Sequence, residues 1–330
     1  MKMDELIAGF GKQLTEAIEI GEQAHLSPHH AEIRNIVVTG LGGSGIGGNL
    51  VSEFLANELT VPFEVNKDYF IPNYVNEHSL VIASSYSGNT EETLQAFEQA
   101  IEKGAKIVCI SSGGKMIERA KELNLDHIIV PGGNPPRTAL GYSVVQQLYA
   151  LYKLGLISPA FKADLKAGIQ LLNDQQENIH AIAREVAGQL LNKIPVIYVC
   201  NPMAAVAVRF KQQINENAKM LCWNHTVPEM NHNELVGWRN KLGPWAVVFL
   251  RNKNDYERNS QRMNINKQIV ENYTDTIIEI FSEGNSHIEQ AFYLIHLTDW
   301  VSYYLAELQN NIDAVEVEVI DFLKGSLAKF

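Results

Sequence analysis

Two stretches of the sequence decide the fold: NIVVTGLGGSG at residues 35–45 and LVIASSYSGNTEE at residues 80–92. Each begins as a short, mainly apolar strand, runs directly into glycine and serine, and is followed by apolar residues at helical spacing. Strand, tight turn and helix in that order are typical of βαβ units, whose parallel strands are covered by helices on both faces. The sequence therefore predicts an α/β fold.

The same alternation continues along the chain. Further strand-like apolar segments lie at residues 61–65, 106–110, 127–130, 194–199, 245–250 and 276–280. Residues 151–190 have a helical pattern that is polar on one side, which suits a connector. We therefore predict two domains: residues 1–151, with an N-terminal helix and a first sheet, and residues 152–330, with connector helices, a second sheet and C-terminal helices.

Composition excludes several classes of protein. The 330 residues carry 27 Lys and Arg against 38 Asp and Glu, a net charge of −11, so a nucleic-acid partner is not expected. No apolar run approaches the roughly 18 residues that span a membrane. Three cysteines give no disulfide framework, and the N-terminus has no apolar leader, so we expect a cytoplasmic protein.

The glycine-rich turn has two interpretations. Gly40, Gly42 and Gly45 match the spacing of a dinucleotide-binding turn, and Glu64 follows at a suitable distance for a ribose contact. Tight strand-to-helix turns also need glycine for backbone reasons alone. This motif by itself leaves both interpretations open.

The serine-rich turn favours phosphate. Ser85, Ser87 and Thr90 crowd the end of a predicted strand, where a helix N-terminus presents free N–H groups. Asn89 and Glu92 could be an N-cap and its partner, but capping does not need three hydroxyls. Hydroxyls and main-chain amides can bind a phosphate monoester without cationic side chains, which suits an acidic protein.

Both stretches resemble the sugar isomerase (SIS) domain family, and specifically its bifunctional phosphoglucose/phosphomannose isomerase branch. The resemblance extends to PPR at residues 135–137, NENAK at 215–219, PEMNHNE at 228–234 and IDFLK at 320–324. It implies two SIS (flavodoxin-like) domains, each a parallel sheet flanked by helices. It also implies an aldose–ketose isomerase of carbohydrate metabolism (glycolysis and gluconeogenesis), which interconverts glucose 6-phosphate, and mannose 6-phosphate, with fructose 6-phosphate through a cis-enediol.

The resemblance also implies roles for individual residues. Glu216 would be the base, Arg137 would stabilise the enediolate, and His232 would assist ring opening together with Lys324. The substrate phosphate would bind to Gly42, Gly43, Ser44, Ser85, Ser87 and Thr90. No cofactor and no metal are implied. The family pattern further implies a homodimer with the active site at its interface, where the histidine comes from the partner subunit.

Three alternatives remain open. A non-catalytic, phosphosugar-binding SIS regulatory protein would share the phosphate site, although no basic helix-turn-helix pattern accompanies it here. A dehydrogenase would use the glycine-rich turn for a nicotinamide cofactor. Cys222, His225 and His232 could suggest zinc, but their spacing fits no standard structural site and a fourth ligand is missing.

The segment before the terminal lysine departs from the family pattern. Members with dual activity tend to carry a threonine about two helical turns before that lysine, whereas residues 315–319 read VEVEV. Acceptance of both C2 epimers depends on space and hydrogen bonding near C2 and C3. This departure bears on acceptance of mannose 6-phosphate, while glucose 6-phosphate activity stays the expectation.

Overall fold

The computed structural model describes residues 2–29, 31–239, 243–310 and 312–329. Its strands are β1 (Asn35–Thr39), β2 (Phe63–Asn66), β3 (Ser79–Ser84), β4 (Lys106–Ser111), β5 (Asp126–Ile129), β6 (Ile194–Cys200), β7 (Trp223–Val227), β8 (Trp245–Arg251) and β9 (Ile277–Phe281). Its α-helices are α1 (Met3–Ala8), α2 (Phe10–Gln23), α3 (Gly42–Phe54), α4 (Glu91–Glu102), α5 (Gly114–Glu122), α6 (Leu140–Lys153), α7 (Phe161–Asp174), α8 (Gln176–Leu190), α9 (Ala204–Ala218), α10 (Glu257–Val270), α11 (His287–Leu308) and α12 (Glu318–Leu327). Short 3₁₀ helices lie at Pro136–Thr138, Glu229–His232 and Glu234–Arg239.

The strands form two parallel sheets. The first has the order β2-β1-β3-β4-β5 and the second has the order β7-β6-β8-β9. Every pairing in both sheets is parallel. Helices connect the strands in sequence, so the predicted α/β architecture with two sheets is confirmed.

Backbone contacts divide the chain into two compact units. The N-terminal unit comprises Gly9–Asn173 with Ser286–Glu289. The C-terminal unit comprises the described residues within Met1–Ala8, Asp174–Asn285 and Gln290–Phe330. The domain boundary predicted after residue 151 stays a prediction.

The core of the N-terminal unit is built from alternate strand residues and the helices that cover them. On one face, Val81 of β3 and Cys109 of β4 pack with Phe97 of α4 and Met116 of α5, all essentially excluded from solvent. Elsewhere in the unit, α6 packs against α2 and α3. Burial of this apolar surface is the main free energy that holds the sheet and helices together.

The C-terminal unit has its own core. Tyr198 of β6 and Phe249 of β8 are fully buried and pack with Trp238 and with Met263 of α10. The ring centroids of Tyr198 and Phe249 lie 5.7 Å apart in a tilted arrangement. The core therefore extends from the sheet to the 3₁₀ helix at Glu234–Arg239.

Two local features differ from the sequence prediction. Strand β7 was not predicted, because it lies at the edge of its sheet and only Val227 among its residues is buried, so it lacks an apolar run. The N-terminal segment, predicted as one helix, forms α1 and α2, which are separated at Gly9. The capping box predicted at Ser286 is present: Ser286 N donates to Glu289 Oε1 at 2.9 Å, and Glu289 N donates to Ser286 Oγ at 3.2 Å.

A buried polar network joins α9 to α11. Arg209 donates to Asp299 Oδ2 at 2.7 Å, and Asn217 Nδ2 donates to Ser302 Oγ at 3.0 Å. Burial raises the pKa of the Asp299 carboxyl, and the positive charge of Arg209 opposes that shift. Because these groups have fixed partners two turns apart along α9, the network sets the rotation of that helix about its axis.

The three cysteines are free thiols. Cys109 and Cys200 are buried and Cys222 is half-buried. Burial raises the pKa of each thiol to about 12. Separately, no helix in the described part of the chain is both long and apolar enough to cross a membrane.

Arg209→Leu should lower the free energy of unfolding by about 3–5 kcal/mol, because the Asp299 carboxylate would stay buried without its guanidinium partner. The double variant Arg209→Leu, Asp299→Leu should be more stable than the single one, since it buries no unpaired charge. Urea unfolding measures both, with the exposed Arg258→Leu as a control expected within about 0.5 kcal/mol of wild type. A double variant no more stable than Arg209→Leu would contradict this account.

Candidate functional site

The glycine-rich turn after β1 is shaped by close approaches of the backbone. A Cβ on Gly40 would lie 2.6 Å from the Ser84 carbonyl oxygen, and one on Gly43 would lie 2.9 Å from the Pro136 carbonyl oxygen. Gly42 has a φ of +52°, in the left-handed region. These constraints explain the glycines by packing alone, and they place Ser44 in the first turn of α3, where it is nearly buried.

The serine-rich turn after β3 forms a compact hydrogen-bonded loop. Ser85 Oγ lies 2.9 Å from Thr90 Oγ1 and accepts a hydrogen bond from Gly88 N at 3.1 Å. Ser87 is exposed, and its Oγ accepts from Asn89 N at 3.2 Å. Thr90 is the N-cap of α4 and does not use its side chain to cap the helix. The predicted phosphate-binding hydroxyls of this turn are thus gathered at the start of α4.

The two turns lie side by side. Ser143 Oγ donates to the Ser44 carbonyl oxygen at 3.4 Å and lies 3.4 Å from Ser84 Oγ. Gly43, Ser44, Ser84 and Tyr86 all line a small cavity of about 10 Å³, room for roughly one water. Of the predicted phosphate-binding hydroxyls only that of Ser44 lines this cavity. We call the four predicted phosphate-binding hydroxyls of the two turns, those of Ser44, Ser85, Ser87 and Thr90, the hydroxyl cup.

The capping interpretation of Asn89 is wrong. Helix α4 begins at Glu91, and its N-cap is Thr90. Asn89 Oδ1 instead accepts from Lys115 N at 3.1 Å, in the first turn of α5, while its Nδ2 donates to the Ser87 carbonyl oxygen at 3.1 Å. Asn89 therefore ties the hydroxyl cup to the next helix of the sheet.

Gly88 fixes the loop against the turn after β4. It has a φ of +67°, and a Cβ there would lie 1.8 Å from the Gly113 carbonyl oxygen. Its own carbonyl oxygen accepts from Met116 N at 3.0 Å. No side chain fits at this position without moving one of the two turns.

Arg137 lies in the 3₁₀ helix that contacts the glycine-rich turn. It is 4% exposed, and its Cα lies 3.7 Å from the position that a Cβ on Gly43 would take. The two preceding prolines stiffen this segment, since each fixes its own φ. The structure thus brings Arg137 and the predicted phosphate-binding glycines together in the N-terminal unit.

Glu216 lies in the last turn of α9 in the C-terminal unit. Its side chain is half-buried, and its carbonyl oxygen accepts from Lys219 Nζ at 2.6 Å. The neighbouring Asn215 Nδ2 donates to the Met220 carbonyl oxygen at 2.6 Å, and Asn217 is held by Ser302. The polar residues on either side of Glu216 thus have structural roles, and they fix the end of α9 that carries Glu216.

His232 and Lys324 are both exposed. His232 ends the 3₁₀ helix Glu229–His232, and Lys324 lies on α12. Neither side chain makes a hydrogen bond or ion pair with another described residue. Their roles in ring opening stay predictions, as do those of Glu216, Arg137 and the hydroxyl cup.

Of the residues considered as zinc ligands, His225 contacts a carboxylate. His225 Nδ1 lies 2.7 Å from Glu234 Oε2, in a cluster that sequence reasoning missed. Among the residues that the structure describes, no three His, Cys, Asp or Glu side chains are grouped as metal ligands would be. Glu64, considered as a ribose contact, accepts a hydrogen bond from Tyr74 at 2.6 Å.

Comparison with known proteins decides the family. Two family models match the chain: a SIS domain over residues 31–156, and a bacterial phospho-glucose isomerase C-terminal SIS domain over residues 179–327. The bifunctional phosphoglucose/phosphomannose isomerase of Caldicellulosiruptor bescii is 40% identical over 99% of this chain and 99% of that protein. The chain belongs to this family. The Aquifex aeolicus enzyme of the same name is 38% identical over 90% of this chain and 91% of its own length.

Membership of the bifunctional phosphoglucose/phosphomannose isomerase family confirms the resemblance drawn from the motifs. A solved structure also shares the fold: the C-terminal domain of glucosamine-fructose-6-phosphate aminotransferase from Francisella tularensis, with a TM-score of 0.73. It is 15% identical, over 94% of this chain and 97% of that one. The predicted pair of SIS domains is therefore confirmed.

Gly88→Ala should weaken binding of fructose 6-phosphate by at least about tenfold, because the new methyl group would force the hydroxyl cup away from the Gly113 carbonyl. Gly104→Ala is the matched control: its φ is +70° and no atom lies within 4 Å of the added Cβ. The control should lose only about 1–2 kcal/mol of stability from the left-handed backbone. Calorimetric titration with fructose 6-phosphate and thermal unfolding measure the two effects, and equal affinities in both variants would contradict the proposed cup.

Proposed function

We propose that the protein is an aldose–ketose isomerase that interconverts glucose 6-phosphate, and mannose 6-phosphate, with fructose 6-phosphate. The observation that carries the proposal is the hydroxyl cup at the strand ends, in a chain whose relatives are named for both activities. The same family membership favours a catalyst over the purely regulatory alternative. Family membership also favours a phosphate monoester over a dinucleotide. The glycines of the β1 turn are no argument for a dinucleotide, because close approaches of the backbone account for them.

The phosphate would be held by neutral donors. Ser85 Oγ already accepts from Gly88 N, so its own hydrogen is available to Thr90 or to a ligand oxygen. The free N–H groups at the starts of α3 and α4 add positive partial charge, because the first four amides of a helix have no partner within it. We propose that Gly42, Gly43 and the hydroxyl cup bind the phosphate in this way.

Glu216 would carry the proton. Once the sugar ring is open, its carboxylate takes the proton from C2 of the aldose, and the electrons form a cis-enediolate with charge on the oxygen of C1. The proton returns to C1, and the proton of the C2 hydroxyl passes to the charged oxygen of C1 as C2 becomes the ketose carbonyl, so atoms and charge balance. Half-burial and the fixed rotation of α9 support Glu216 in this role.

Three further residues would assist before and during the proton transfer: Arg137, His232 and Lys324. A guanidinium stabilises the developing enediolate charge more strongly in a site that excludes water, and Arg137 is almost fully buried. Ring opening needs a proton on the ring oxygen and removal of one from the C1 hydroxyl, which His232 and Lys324 would assist. These steps need no metal or cofactor.

We also propose that the working protein is a cytoplasmic homodimer with the active site at its interface. The C-terminal helix supports this proposal: no residue of α12 is buried, and its apolar side chains include Phe322 at 78% exposure. Exposed apolar surface of this kind commonly marks an association site. Sedimentation equilibrium that gave the monomer mass of 36.9 kDa at assay concentration would contradict the dimer.

Glu216→Gln should reduce turnover of glucose 6-phosphate by a factor of about 100 or more, because an amide cannot accept the C2 proton. Binding of sorbitol 6-phosphate, an acyclic analogue, should change little. Coupled assays and calorimetry measure the two quantities, with the exposed Glu185→Gln as a control of equal charge change in the same unit. Near-normal turnover in the Glu216 variant would remove the proposed base.

The same assays test the epimer preference. Val317 is the N-cap of α12 and has no hydroxyl to offer. We therefore expect kcat/KM for wild-type protein to be higher with glucose 6-phosphate than with mannose 6-phosphate. A higher value for mannose 6-phosphate would contradict that order, and binding of both without turnover would favour the regulatory alternative.

A further inference from the structure

Glu234 lies at the centre of a polar cluster that the proposed mechanism does not use. Its Oε1 accepts hydrogen bonds from Tyr198 Oη at 2.5 Å and from Trp223 Nε1 at 3.2 Å. Its Oε2 lies 2.7 Å from His225 Nδ1. An ionised carboxylate only accepts, so His225 carries a hydrogen on Nδ1 in this arrangement. One carboxylate thus ties a 3₁₀ helix to two neighbouring strands, β6 and β7.

Tyr198 holds the other end of the same 3₁₀ helix. Its hydroxyl accepts from Trp238 Nε1 at 2.8 Å while it donates to Glu234. Tyr198 is fully buried and Trp238 is 5% exposed. Burial and the bond to the Glu234 carboxylate raise the pKa of Tyr198, so its phenol keeps the proton that it donates. The helix Glu234–Arg239 is therefore fixed at both ends to one buried hydroxyl.

A second anchor lies just before His232. Asn231 Nδ2 donates to Asn266 Oδ1 on α10 at 2.6 Å. After His232, Asn233 Oδ1 accepts from Glu234 N at 2.6 Å, and its Nδ2 donates to Glu229 Oε1 at 3.0 Å. The residues on both sides of His232 are thus held by side-chain hydrogen bonds.

His232 itself has no such support. Its side chain is exposed and makes no hydrogen bond with any other residue that the structure describes. Its placement therefore depends on the backbone that carries it, and Glu234 is two residues away. A catalytic group displaced by about 1 Å can lose roughly 100-fold in rate.

We propose that Glu234 is a positioning residue for His232: its carboxylate, bonded to Tyr198, Trp223 and His225, fixes the loop that presents the imidazole to the sugar ring. This inference rests on the proposed function, because it takes His232 as the residue that assists ring opening. Glu234 does not itself reach the substrate in this account. Its side chain is 26% exposed and both its oxygens are engaged by neighbouring donors.

The test is a double-mutant cycle on the full-length protein with glucose 6-phosphate. His232→Ala should lower kcat by about 100-fold or more. Glu234→Ala should lower kcat by about tenfold or more through a displaced imidazole. In the His232→Ala background, the Glu234→Ala change should have no further effect on kcat, because the group it positions is gone.

Glu234→Gln separates positioning from proton transfer. Its amide oxygen can still accept from Tyr198 and Trp223, and its NH₂ group can donate to the other tautomer of His225. Most of the kcat lost in Glu234→Ala should therefore return. Affinity for sorbitol 6-phosphate, which has no ring to open, should match wild type in both variants.

Glu307→Ala is the matched control, since this carboxylate also accepts a hydrogen bond from a tyrosine, Tyr303, at 2.8 Å in the same unit. It should leave kcat unchanged. If Glu234→Ala does not fold, His225→Ala removes one of the three bonds and should show a smaller loss of kcat with the same dependence on His232.

The outcomes separate the two claims. Wild-type kcat in His232→Ala would overturn the ring-opening role, and this inference with it. A slow His232→Ala beside an unchanged Glu234→Ala would overturn the positioning role alone. Equal losses from Glu234→Ala in both backgrounds would also overturn it, since they would indicate general damage. A Glu234→Gln variant as slow as Glu234→Ala would indicate that the carboxylate transfers a proton itself.

Discussion

Parallel hydrogen bonding between β1, β3 and β4 brings the ends of three strands to one edge of the first sheet. Each strand must then turn abruptly into a helix at that edge, and neighbouring turns have to share the space. The Ser84 carbonyl oxygen approaches Gly40 and the Gly113 carbonyl oxygen approaches Gly88 so closely that no side chain fits at either position. Both positions therefore require glycine. The hydroxyl cup follows from this crowding, since small polar side chains fit where larger ones do not: Ser44 and Ser85 are buried, and Ser87 is exposed. In an α/β sheet this edge is where ligands commonly bind.

The sequence was sufficient to predict most of the fold. Strand β3 is buried throughout and carries the apolar run Leu80–Ala83 between serines, a pattern that clearly indicates a buried parallel strand. The capping box at Ser286 was also predicted correctly, because its hydrogen bonds join residues only three positions apart. The family was predicted from motifs spread along the chain, and the relatives confirm it. Strand β7 escaped because a half-exposed edge strand carries polar residues on a short segment.

Contacts between residues far apart in the sequence could not be predicted from the sequence alone. Asn89 looked like the cap of the helix that follows it, yet its oxygen serves α5, which lies more than twenty residues further along the chain. The three hydrogen-bond partners of Glu234 are Tyr198, Trp223 and His225. Their spacing in the sequence gives no indication that they contact one carboxylate. Pairings of this kind depend on strand order, which periodicity does not encode. The placement of Glu216 by α9 depends likewise on partners on α11.

The burial of the thiols has a consequence for how the protein meets oxidants. Because burial raises the pKa of Cys109, Cys200 and Cys222 to about 12, the thiolate is a rare species at each site near neutral pH. Peroxide and alkylating reagents attack the thiolate, so these sulfurs react slowly without any need for a protecting disulfide. A cysteine introduced on the surface should therefore be labelled selectively over the native three.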